Sequence, residues 1–82
     1  MDIIMTNIEY IIYILIVNNI SKYKNKITVY DIINESKNIK YGLYNFTPYM
    51  IYRICIYLKR LEIVYFIRDN NSIYIIPTIE EF

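Results

Sequence analysis

Apolar positions recur at helical spacing along much of this chain and then give way to two short continuous runs, and this change separates its elements. From Asn7 to about Ile20 the spacing is helical, with Ile8, Ile12, Leu15 and Ile16 on one face and Ile11 beside them. Tyr10, Tyr13, Ile14 and Val17 cover much of the remainder, so this helix is apolar nearly all round. Thr6-Asn7-Ile8-Glu9 at its start has capping-box form. Ser21 to Lys26 is polar and basic and reads as a loop, after which Ile27 is a candidate short strand. Thr28 is placed to cap a second helix, Val29 to about Ser36, with Val29, Ile32 and Ile33 inward. Lys37 to Phe46, holding the only glycine, Gly42, is a connection.

The third helix carries the strongest signal. Thr47 can accept a hydrogen bond from an orphaned backbone N–H, and Pro48 sits at the first helical position, where its missing N–H costs nothing. From there to about Leu61, Ile51, Ile54, Cys55 and Leu58 form one apolar stripe. The opposite face carries Tyr49, Arg53, Ile56 and Arg60, flanked by Tyr52 and Tyr57. Then the helical spacing ends. Glu62 to Arg68 is rich in β-formers, Asp69-Asn70-Asn71-Ser72 reads as a turn, Ile73 to Ile76 returns, and Pro77 ends the strand. This is a β-hairpin. Thr78 to Phe82 is a tail, either a short helix or frayed.

Three helices plus a C-terminal β-hairpin make an α+β, mainly α fold. At 82 residues the chain is one domain near the lower size limit for an independent core. Isoleucine and tyrosine dominate, and neither histidine nor tryptophan occurs. Ile, Tyr, Asn and Lys have A/T-rich codons, so the bias points first to an A/T-rich genome. The apolar run Tyr10 to Val17 is bounded by Glu9 and Asn18 and is too short to span a membrane. A helix this apolar in so small a domain predicts a homodimer built on the first helix. No secretory leader is evident, and the expected location is the cytoplasm, or the host cytoplasm for a viral protein.

Net charge is +1, but it is unevenly placed. Residues 22 to 60 hold eight of the nine basic residues, Arg53, Lys59 and Arg60 among them, against only Asp31 and Glu35. A basic middle between acidic ends can present one positive face. Enzyme chemistry finds little equipment. There is no histidine, the lone Cys55 falls on the core stripe, and a single glycine cannot form a phosphate loop. Metal, cofactor and catalytic sites are therefore not expected.

Thr47-Pro48, Ile51-Tyr52-Arg53, Leu58 and Ile63-Val64 resemble, in order and spacing, the recognition helix and first wing strand of winged helix-turn-helix regulators of PadR and MarR type. Those proteins commonly carry Gly where this chain has Glu62, so a slightly different helix end is expected. The composition also looks like that of small proteins of archaeal viruses. The resemblance implies a single winged-helix domain over 1–82 and a sequence-specific transcriptional regulator of double-stranded DNA. Its third helix would enter the major groove. Arg53 would then read guanine or bind phosphate, and Tyr49 would meet a phosphate or a thymine methyl. Lys59 and Arg60 would meet phosphates. Arg68, Asn70 and Asn71 at the wing would reach the minor groove or backbone. Thr47, Tyr52, Ile56 and Tyr57 complete the expected DNA face. A different reading uses the same fold as a protein-interaction module, with Arg53, Ile56 and Tyr57 as anchors, for example in a viral protein that modulates a host complex.

Overall fold

The fold was obtained as a computed structural model, which describes residues 7–38 and 46–78. Helices α1 (Asn7–Asn19), α2 (Val29–Ser36) and α3 (Pro48–Arg60) precede strands β1 (Val64–Asp69) and β2 (Ser72–Pro77). The strands form a two-stranded antiparallel sheet, with Val64 opposite Pro77 and Asp69 opposite Ser72. The architecture is mainly α, with one hairpin. Thr6 of the expected capping box, Lys40, Gly42 and residues 79–82 lie outside the described residues.

Side chains fix where α2 and α3 begin. Thr28 accepts from the Asp31 N–H at 3.2 Å, and the Asp31 carboxylate accepts from the Thr28 N–H at 3.0 Å, completing a capping box. Thr47 accepts from the Met50 N–H at 3.2 Å, with Pro48 in the first turn.

The three helices and the hairpin close over one core. Ile12, Tyr13, Leu15 and Ile16 come from α1, Ile32 from α2, and Ile51, Ile54, Cys55 and Leu58 from α3. Ile63, Val64 and Ile75 cover the base of the hairpin. Tyr13, on the second apolar side of α1, is buried, and its hydroxyl has no hydrogen-bond partner among the described residues. Ile27 is fully buried and its carbonyl accepts from the Ile75 N–H at 2.8 Å. The expected short strand is thus reduced to one backbone hydrogen bond, which pins the α1–α2 loop to β2. Burial pushes the Cys55 thiol up to about 12, so it acts as a small apolar side chain.

The corner between α3 and β1 departs from expectation. Glu62 takes φ 61°, the left-handed conformation that glycine would supply. The Glu62 N–H donates to Lys59 at 3.0 Å and the Ile63 N–H to Leu58 at 3.1 Å, the two bonds of a Schellman helix end. The helix therefore ends as it would with glycine, because burial of Leu58 and Ile63 beside the cap outweighs the strain on Glu62. The Thr78 hydroxyl reaches both the Glu62 and Ile63 carbonyls, at 2.6 and 2.8 Å, and locks the corner from the far strand. Glu62→Gly retains these backbone bonds and removes the Cβ strain. It should raise unfolding stability by about 1 kcal/mol in denaturant titration. A loss of stability would mean that the Glu62 side chain itself holds the corner.

A polar knot ties the α1–α2 loop to α2. Glu35 accepts from Lys22 Nζ at 2.8 Å and from the Tyr23 hydroxyl at 2.7 Å. These donors, Lys22 first, hold the Glu35 carboxyl below its usual range. The bond to Glu35 pushes the Tyr23 phenol up to about 12. Glu35 thus contributes stability above the ordinary carboxylate pKa, lost as pH falls through its lowered value. Tyr23 contributes below the ordinary phenol pKa, lost as pH rises through about 12. Glu35→Gln should flatten both limbs of a melting temperature versus pH profile. Equal slopes in the two proteins would show that the knot is not coupled to folding.

Candidate nucleic-acid interface

With Ile51, Ile54, Cys55 and Leu58 buried, the other side of α3 faces solvent. Tyr49, Tyr52, Arg53, Ile56, Tyr57 and Arg60 line one shallow groove of about 370 Å³ along it. All six were expected at an interface. Tyr49 is 67 % exposed and Tyr52 53 %, while Ile56 is half-buried. Arg53 is held within this groove. Its guanidinium lies 5.7 Å from the centre of the Tyr49 ring, and Nη1 donates to the Tyr49 hydroxyl at 3.2 Å. The two residues are one helical turn apart, so the stack reinforces the helix and restricts the guanidinium before any ligand arrives.

Other expected residues lie elsewhere. Lys59 turns away from the groove and sits 5.0 Å over the Phe66 ring of β1. The Thr47 hydroxyl is occupied by the cap of α3. Arg68 is exposed on β1 opposite Ile73, in the second rung from the turn. Asp69 and Ser72 pair as the last rung of the ladder, so the four-residue turn read from the sequence is only Asn70-Asn71. Asn70 takes φ 57°, which asparagine tolerates well. The tip is therefore short and tightly paired.

The basic middle of the chain is divided among several places. Arg53 and Arg60 are in the α3 groove, Lys22 is bound to Glu35, and Lys26 lies 6.0 Å from the Tyr74 ring on the hairpin. No carboxylate occurs between Glu35 and Glu62, so α3 presents cations without a competing anion of its own.

A second surface was not anticipated. Thr28, Val29, Tyr30 and Ile33 of α2 and its cap meet Pro48 and Tyr52 of α3 across a cleft of about 400 Å³, closed by Asn71, Ser72 and Ile73 of the hairpin. None of these residues is charged. Tyr52 lines both the cleft and the α3 groove, which makes the two surfaces neighbours and brings the hairpin tip beside the start of α3. Tyr30 is 79 % exposed. Its position beside inward-facing Val29 on α2 was the available signal that it points outward. Comparisons with protein-family models, with curated proteins and with solved structures each find no match.

Proposed function

We propose that this protein is a non-catalytic, sequence-specific DNA-binding transcriptional regulator of winged helix-turn-helix type. Helix α3 is its major-groove element and the β1–β2 hairpin its wing. The observation that carries this reading is the α3 groove, where two arginines and three exposed tyrosines line a face to which α3 contributes no carboxylate, with Glu9 of α1 in the neighbouring pocket beside Tyr49 and Arg53. Guanidinium groups suit guanine edges and phosphates, and tyrosine hydroxyls suit phosphates. Arg68 and the Asn70-Asn71 turn extend the contact into the adjacent groove or backbone. Selection from fragmented genomic DNA at fixed salt tests the proposal. It should enrich a defined sequence, and binding to that sequence should fall linearly in log K against log salt. Absence of both enrichment and salt dependence would reject DNA as the ligand.

The regulator acts as a homodimer through α1. Tyr10, Ile11, Ile14 and Asn18 of that helix line a groove of about 450 Å³, which Glu35 of α2 and Asn38 complete. Pairing there would give a two-fold protein for a two-fold operator. Sedimentation at micromolar concentration should report a dimer, and a stable monomer would contradict this assembly. No helix among the described residues is long and apolar enough to cross a membrane.

The uncharged cleft favours a second reading, a protein-docking module on the same fold. Exposed tyrosine and isoleucine around a concave, charge-free surface suit a protein side chain better than a phosphate. DNA is preferred because the cationic groove, unlike the cleft, carries groups that neutralise a polyanion.

A further inference from the structure

The side chains on α3 define which bases it can read, taking the DNA-binding reading above as premise. In a major groove, adenine is recognised by paired donor and acceptor groups of Asn or Gln, and cytosine by the acceptor of Asp or Glu. Helix α3, Pro48–Arg60, contains none of these four residues. It also has no serine, and the one threonine beside it, Thr47, has its hydroxyl engaged by the Met50 N–H. With the tyrosine hydroxyls assigned to phosphates as above, direct readout by α3 is thereby restricted to two chemistries. A guanidinium can fork onto guanine O6 and N7, and an apolar surface can seat the C5-methyl of thymine.

The groove holds both. Arg53 is steadied on Tyr49, and Ile56 is the aliphatic side chain that lines the groove together with Arg53 and Arg60. Arg53 and Arg60 are seven residues apart, about 10 Å along the helix axis at 1.5 Å per residue. That is close to three base steps at about 3.4 Å each. The space between one arginine on a guanine and the next on a phosphate is then occupied by one or two bases facing Ile56 and the rings of Tyr52 and Tyr57.

We propose that the α3 groove recognises its operator through thymine C5-methyl groups seated on Ile56, beside a guanine held by Arg53. The half-site contains a guanine followed within one or two positions by thymine on the contacted strand.

The test compares the selected duplex with the same duplex in which the half-site thymines are replaced by deoxyuridine. This removes only the methyl and keeps every Watson–Crick edge. Wild-type protein should bind the deoxyuridine duplex about three- to fourfold more weakly for each methyl in contact, the value of burying one methylene-sized group. Ile56→Ala should bring the ratio between the two duplexes close to one, while Arg53→Ala leaves that ratio in place. Equal binding of both duplexes by the wild-type protein would overturn methyl recognition while leaving the DNA-binding function intact, and needs no variant to fold. Stronger binding to the single strand than to the duplex would assign the tyrosines to base stacking and also overturn it. Failure to bind any duplex in a salt-dependent manner would remove the premise, and the inference with it.

Discussion

Replacing Arg53 by alanine weakens binding to the selected operator by about 1–3 kcal/mol, roughly five- to 150-fold, if its guanidinium reads a base. Arg60→Ala instead weakens all duplexes alike and reduces the salt slope by about one unit, because it removes a phosphate contact. The two outcomes differ because the residues sit at different points of the same groove. Arg53 lies in the half of α3 nearer its N-terminus, stacked on Tyr49, while Arg60 closes the last turn. Tyr49→Phe provides a finer measure, since it retains the ring under the guanidinium but removes the 3.2 Å hydroxyl contact. Its effect should be a fraction of that of Arg53→Ala. Titration of each variant against operator and random duplex at several salt concentrations separates these cases. Identical isotherms for wild type, Arg53→Ala and Arg60→Ala would detach α3 from nucleic acid altogether.

The largest effect on folding is expected at Ile51, whose side chain is completely buried where α3 enters the core. Ile51→Ala removes the packing of a branched side chain and leaves a cavity, at a cost of about 2–5 kcal/mol. A domain of this size holds only about 4–12 kcal/mol in total, from about 0.05–0.15 kcal/mol per residue. The variant should therefore lose a large share of its stability, seen as a much lower urea midpoint with little change in slope. Ile51→Val should cost only about 0.5–1.5 kcal/mol. Tyr52→Ala, at the adjacent but exposed position, should change stability by no more than about 0.5 kcal/mol. Comparable losses at 51 and 52 would mean that the stripe on α3 is not the face that packs.

Features whose physics is local were legible in the sequence. Thr28 and Thr47 carry the start signals of their helices in their own hydroxyls, and both helices begin where those residues place them. The four-residue stripe on α3 follows from helical phase alone, and with it the six residues of the groove opposite. Features decided by distant partners were not. The register of β1 on β2 draws Asp69 and Ser72 into the ladder, although both are weak strand formers, so the turn is shorter than propensity suggests. Glu62 adopts a conformation its type disfavours because the cap bonds and the buried Leu58 and Ile63 demand it. Lys59 was placed with Arg60 by its charge, but the ring of Phe66 decides where it lies. Ile27 finds its partner in Ile75, a contact with no local signature.

The two-stranded sheet has a further consequence, for the behaviour of the protein in concentrated solution. Strand β1 has β2 as its one neighbour in the sheet, and its outer edge is unpaired among the described residues. That edge belongs to Ile63-Val-Tyr-Phe-Ile67, an uncharged run of strong β-formers with Tyr65 and Ile67 exposed. Such a ribbon is a template for strand addition by another molecule. Glu62 precedes the run, and Arg68 and Asp69 follow it, so charge brackets the apolar segment at both ends. These three residues act as gatekeepers, and their neutralisation would turn the hairpin edge into a seed for fibril growth.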